Sequence, residues 1–162
     1  MDIATLLRAI GSRAGCRVFP VSGPVRVEPH HTVPRDVADF YAACGGAELF
    51  ADQFFGALIL PPEQVVKANL AIVGEEFPDD PSDAWYLIAK TNDSASSAIS
   101  ADFGDVHNGR CYDSYWDRHG VAGSMDVVAS SFTDLLEWML RAEGRALHWT
   151  DPSFPALGDA YD

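Results

Sequence analysis

A chain of 162 residues with 48% hydrophobic and 11% aromatic content holds enough apolar material for one domain spanning 1–162. A domain of that length buries roughly 70% of the surface its unfolded form exposes, so it needs no metal or disulfide staple, and general disorder is excluded. The formal charge of −13 repels phosphate backbones and argues against a nucleic-acid partner. No apolar run reaches the ~20 residues of a membrane span.

The charge is uneven. Residues 1–35 carry five arginines against two acids, whereas residues 36–162 carry six bases against 22 acids. The acidic body suits a basic partner. The start, MDIATLLRAIGSRAG, has no basic n-region followed by a long apolar stretch, so no secretory signal is read there and a cytoplasmic location is expected. Cys16, Cys44 and Cys111 match no zinc or CxxC spacing and are expected to be free thiols.

In chain order, Asp2 can cap a helix over 2–10 whose apolar residues Ile3, Leu6, Leu7 and Ile10 recur at helical spacing. Residues 12–31 hold Pro20, Gly23, Pro24 and Pro29 among short β-branched pieces, which predicts a loop or an edge strand. TVPRDVADFYAACGG predicts a helix started by Pro34, with Val37, Phe40, Tyr41 and Cys44 on one stripe. Gly45 and Gly46 follow it, where a left-handed residue would close the helix as a structural turn. A phosphate-cradling glycine loop precedes its helix instead, and the charge here is wrong for phosphate.

ALIL (57–60) predicts a buried strand, and PPEQVVKANLAIV a proline-started helix carrying Val66, Leu70 and Val73. GEEFPDDPSD predicts a solvated loop. WYLIAKT, SSAISADFG and GRCYDSYW predict three strands, with HNG turning between the last two. SSFTDLLEWMLRAEG is a full helix: Ser131 and Asp134 form a capping-box-like start, and Glu137 and Arg141 are an i, i+4 pair. Phe132, Leu135, Leu136, Met139 and Leu140 supply its apolar face. The tail, residues 145–162, is broken by Pro and Gly. Helices, then clustered strands, then a helix predict an α+β fold, an antiparallel or mixed sheet with helices packed against it.

The order VPRDVADFYAACGG, ALILPPEQVV, WYLIAKT, AISADFGDVHNGRCYD and SFTDLLEWML resembles the SMI1/KNR4, or SUKH, superfamily over residues 30–143. Cys44 stands where members more usually have Asn. The N-terminal helix and the tail lie outside the likeness. The resemblance implies an α+β fold used in bacteria mainly by immunity proteins, which bind and neutralise a toxin, often a nuclease or deaminase domain. It also implies regulatory interaction modules in fungi, and it brings no shared catalytic residues.

Two constellations could carry chemistry. Cys44 could pair with a histidine, yet it lies on an apolar stripe at a helix C-terminus, where the dipole raises a thiol pKa. Asp102, Asp105, His107, Asp113, Asp117 and His119 could hold a divalent ion for a small metal-dependent enzyme, although their spacing matches no calcium or zinc loop. His30 and His31 are adjacent, and in a strand their side chains would point apart. Neither cofactor nor metal is expected.

Protein binding is the favoured function. The acids Glu75, Glu76, Asp79, Asp80 and Asp83 beside Trp85 have the composition of an aromatic anchor ringed by charge, with a solvated loop and a core tryptophan as the plainer alternatives. Asp113, Tyr115, Trp116 and Asp117 form a second such candidate. The expected function is non-enzymatic: an immunity protein that binds a basic toxin domain through an acidic surface. A regulatory scaffold without a toxin is the alternative.

Overall fold

The run WYLIAKT (85–91) has no polar face, and six of its seven side chains are buried. Side chains alternate across a strand, so this one must sit where a sheet is covered on both sides. A computed structural model describing residues 1–162 places it there, as the central strand β4 (Trp85–Thr91) of a seven-stranded sheet. The others are β1 (Arg17–Val18), β2 (Ala47–Leu49), β3 (Ala57–Ile59), β5 (Ile99–Asp102), β6 (Cys111–Asp113) and β7 (Val127–Ala129). They lie in chain order and every neighbouring pair is antiparallel. The architecture is α+β, and of the two expected sheet types it is the antiparallel one.

Four helices accompany the sheet: α1 (Ile3–Ser12), α2 (Arg35–Ala43), α3 (Ala68–Ile72) and α4 (Phe132–Ala142). The Asp2 carboxylate accepts the Thr5 N–H at 2.7 Å and starts α1. The Ser131 hydroxyl accepts the Asp134 N–H at 3.0 Å and starts α4, while left-handed Glu143 ends it. Helices α1, α2 and α4 pack on one another. Phe40 and Phe132 meet edge-to-face at 5.1 Å across the α2–α4 contact.

Gly45 and Gly46 act differently from the turn read in the sequence. Extended Cys44 ends α2, and the chain passes straight into β2, a strand too short to stand out in sequence. A Cβ on Gly45 would lie 2.2 Å from the Pro20 carbonyl oxygen, and one on Gly46 2.7 Å from that of Ile59. Close approach of neighbouring backbone, more than closure of a helix, demands these glycines. Gly45 N–H and Phe19 N–H each donate across this contact, to Phe19 and Gly46 carbonyls.

The helix expected over PPEQVVKANLAIV is divided. A 3-10 turn at Pro62–Gln64 is followed by extended chain in which Lys67 bridges to Tyr86, and only Ala68–Ile72 is α-helical. The Leu87 N–H donates to the Val66 carbonyl at 2.9 Å, so pairing with β4 overrides helix continuation. The tail lies along the body: Asp159 bridges to Asp126, and Tyr161 packs edge-on against Trp85 at 5.3 Å.

Candidate partner-binding surface

The division of that helix turns its apolar residues outward. Val66, Leu70 and Val73 are 42%, 50% and 49% exposed, and Phe77 is 39% exposed. Val73 and Phe77 line a recess of about 190 Å³ with Asn69, Asp80, His119 and Tyr161. Val66 borders another, of about 390 Å³, with Arg26, Pro62 and Glu63. Glu75, Glu76 and Asp79 are exposed in the segment joining Val73 to Phe77 and the turn beyond. An apolar ridge with acids along it results, the composition of an interface core and its rim.

The other acids of this stretch are structural. Asp80 is half-buried, accepts the Ser82 N–H at 2.9 Å and takes the Tyr161 hydroxyl at 3.0 Å. Asp83, read in the sequence as part of the partner surface, is buried. Its Oδ1 accepts from Lys67 Nζ at 2.6 Å, and its Oδ2 lies 3.2 Å from His31 Nε2. Lys67, buried as well, also reaches Glu76 at 3.1 Å and Glu28 at 3.4 Å. Burial acts to lower the Lys67 pKa, yet hydrogen bonds to Asp83 and Glu76 outweigh it and hold the ammonium above its ordinary value. One buried lysine thus ties the acidic loop to the sheet.

Trp85 is also removed from the surface. It is fully buried against Tyr112, His119 and Tyr161, and its indole N–H donates to Asp102 Oδ2 at 3.2 Å. The strand begins beneath the loop, so an aromatic next to acids in sequence points into the core.

In the second candidate, Asp113 is buried and accepts from Arg118 at 2.7 Å and Trp149 at 3.2 Å. Burial raises its pKa, with the Tyr115 N–H and Arg118 opposing. Tyr115 is half-buried beneath the Arg118 guanidinium, 5.1 Å from its ring centroid. Trp116, 62% exposed, and Asp117 stay on the surface.

The candidate chemistry resolves residue by residue. Cys44 is fully buried, and burial raises its thiol pKa against a smaller opposing hydrogen bond from Gly46. Asp102 is held by Trp85, Tyr112 and the Gly104 N–H. His119 hydrogen-bonds Asn69 at 2.8 Å. Asp105 and Asp117 are exposed, so the acids and histidines of 102–119 do not converge. The histidines that do converge are those expected to diverge. His30 and His31 lie in a turn rather than a strand, with ring centroids 4.0 Å apart, and both face Asp83. No periodicity marks this cluster; only the fold brings residues 30, 31 and 83 together.

Comparison with known proteins adds the family context. The SMI1 / KNR4 family (SUKH-1) profile matches residues 30–138. Immunity protein YokJ of Bacillus subtilis (strain 168) is 38% identical over all 162 residues, covering 100% of this chain and 97% of that protein. The N-terminal helix and the tail, outside the family profile, are therefore inside this likeness. No solved structure matches. No helix is long and apolar enough to cross a membrane.

Proposed function

Because the chain belongs to the SMI1/KNR4 (SUKH-1) family, we propose that it works as an immunity protein, binding a cognate toxin domain and blocking it without chemistry of its own. Likeness to YokJ along the whole chain supports the immunity role. The observation that carries the mode of binding is the exposed ridge of Leu70, Val73 and Phe77 flanked by Glu75, Glu76 and Asp79. An acidic rim on a protein of charge −13 steers a basic partner toward contact, and apolar residues slow its departure. A nuclease or deaminase domain with a basic cleft has the matching chemistry. Exposed Trp116 and Asp117 extend the acidic-aromatic character of the surface.

The test is to look for a toxin domain encoded in a neighbouring gene, co-express it with this chain, and measure binding kinetics at two salt concentrations. The triple variant Glu75→Gln/Glu76→Gln/Asp79→Asn should slow association about tenfold at low salt and change dissociation little, whereas Leu70→Asp should speed dissociation. Asp80 and Asp83 are left intact because they hold the fold. No protection of cells against the toxin overturns the immunity reading, and protection with unchanged kinetics in both variants removes this surface.

A further inference from the structure

The cluster of His30, His31 and Asp83 is not used by the partner-binding reading. His30 Nε2 and His31 Nε2 stand 3.3 and 3.2 Å from one atom, Asp83 Oδ2, and all three ligand atoms lie within 4.8 Å of one another. An ion bonded tetrahedrally at about 2.0–2.1 Å separates its ligand atoms by about 3.3 Å. Two edges of such a site already have this length. His31 and Asp83 are buried, while the His30 side chain is 61% exposed, so a turn of its ring on the solvent side can close the third.

The charge around the cluster favours a divalent cation. Asp83, Glu28 and Glu76 surround the single ammonium of Lys67, which leaves two negative charges unbalanced. Lys67 occupies Asp83 Oδ1 and leaves Oδ2 as a single-oxygen ligand. An outer shell is also present: His31 Nδ1 is 2.8 Å from Tyr86 Oη. With an ion on Nε2, Nδ1–H donates to that oxygen, which fixes the ring as metal-bound imidazoles usually require.

We propose that His30 Nε2, His31 Nε2 and Asp83 Oδ2 form a Zn²⁺ site, with the fourth position left to water or a partner's side chain. Two imidazoles select zinc over calcium or magnesium, which take oxygen ligands. The ion pins the 28–31 turn to Asp83 and, through Lys67 and Glu76, to the base of the acidic loop. The site does not depend on the immunity reading, and its test uses no partner.

Tag-free, chelator-treated full-length protein is titrated with Co²⁺ as a spectroscopic substitute, and Zn²⁺ is then used to displace it. One ion per chain with visible bands of four-coordinate Co²⁺ is expected, together with a thermal midpoint that rises on adding Zn²⁺. His30→Ala removes a largely exposed ring and its 3.3 Å contact to Asp83, so its metal-free midpoint is measured as its own baseline, and from that baseline the variant should lose both responses. Tyr86→Phe should weaken binding about 10–100-fold. Absence of stoichiometric binding, or equal affinity in wild type and His30→Ala, overturns the site.

Discussion

Replacing Lys67 by Met removes the ammonium against which Asp83 is buried while keeping most of the apolar stem. The two side chains are 9% and 11% exposed and meet at 2.6 Å. Removing one member of a buried pair costs about 3–5 kcal/mol, because the remaining charge is left without its partner. His30 and His31 stay beside Asp83 Oδ2, which places the cost near the lower end. Glu28 and Glu76 are 42% and 45% exposed, so they regain water and add about 0.5 kcal/mol at most. A loss of about 3 kcal/mol corresponds to about 6–12 °C in thermal midpoint for a chain of this length. Urea unfolding followed by tryptophan fluorescence, in chelator, measures it. Lys67→Met/Asp83→Asn should recover most of the loss, since no orphaned charge remains. A loss below about 1 kcal/mol in the single variant, or a double variant no more stable than the single, refutes the reasoning.

Three further outcomes are expected. His119 donates from Nε2–H to Asn69, its Nδ1 has no partner, and burial pushes its pKa down to about 4. The unfolded chain, with a histidine near 6.5, then binds more protons than the folded one between those values. Stability is complete above pH ~6.5 and falls by up to about 3 kcal/mol toward pH ~4; His119→Gln should remove this part of the pH dependence in urea titrations. Gly45→Ala sets a methyl 2.2 Å from the Pro20 carbonyl oxygen and should cost at least about 2 kcal/mol. Gly11→Ala, in α1 with nothing within 4 Å, should instead add about 0.5–1 kcal/mol in the same unfolding assay.

Elements with strong local signals were legible from the residues. WYLIAKT opens on five consecutive apolar residues, and SSFTDLLEWMLRAEG carries its own cap, apolar stripe and stop, so neither depends on context for its type. Strands β2 and β7 are three residues each, too short for a period to show, and they form because a neighbouring strand supplies the hydrogen bonds. The candidate surface was legible in part. Exposure of Glu75, Glu76 and Asp79 follows from a loop with two prolines and no base. Nearness in sequence misled for Trp85, Asp83 and Asp113: Trp85 opens β4, Asp83 sits in the 3-10 turn just before it and Asp113 closes β6, and the packed sheet buries all three.

Local chemistry in the chain thus determined the α+β class, the main helix and strand types and the negative surface. Tertiary structure alone decided which way the segment 65–73 faces, since β4 pairs with Val66 and Lys67 and leaves Val66, Leu70 and Val73 partly in water. It alone also decided the convergence of His30 and His31 on Asp83, fifty-two residues beyond His31. Propensity acts over a few neighbours, whereas orientation and long-range proximity arise when the sheet closes.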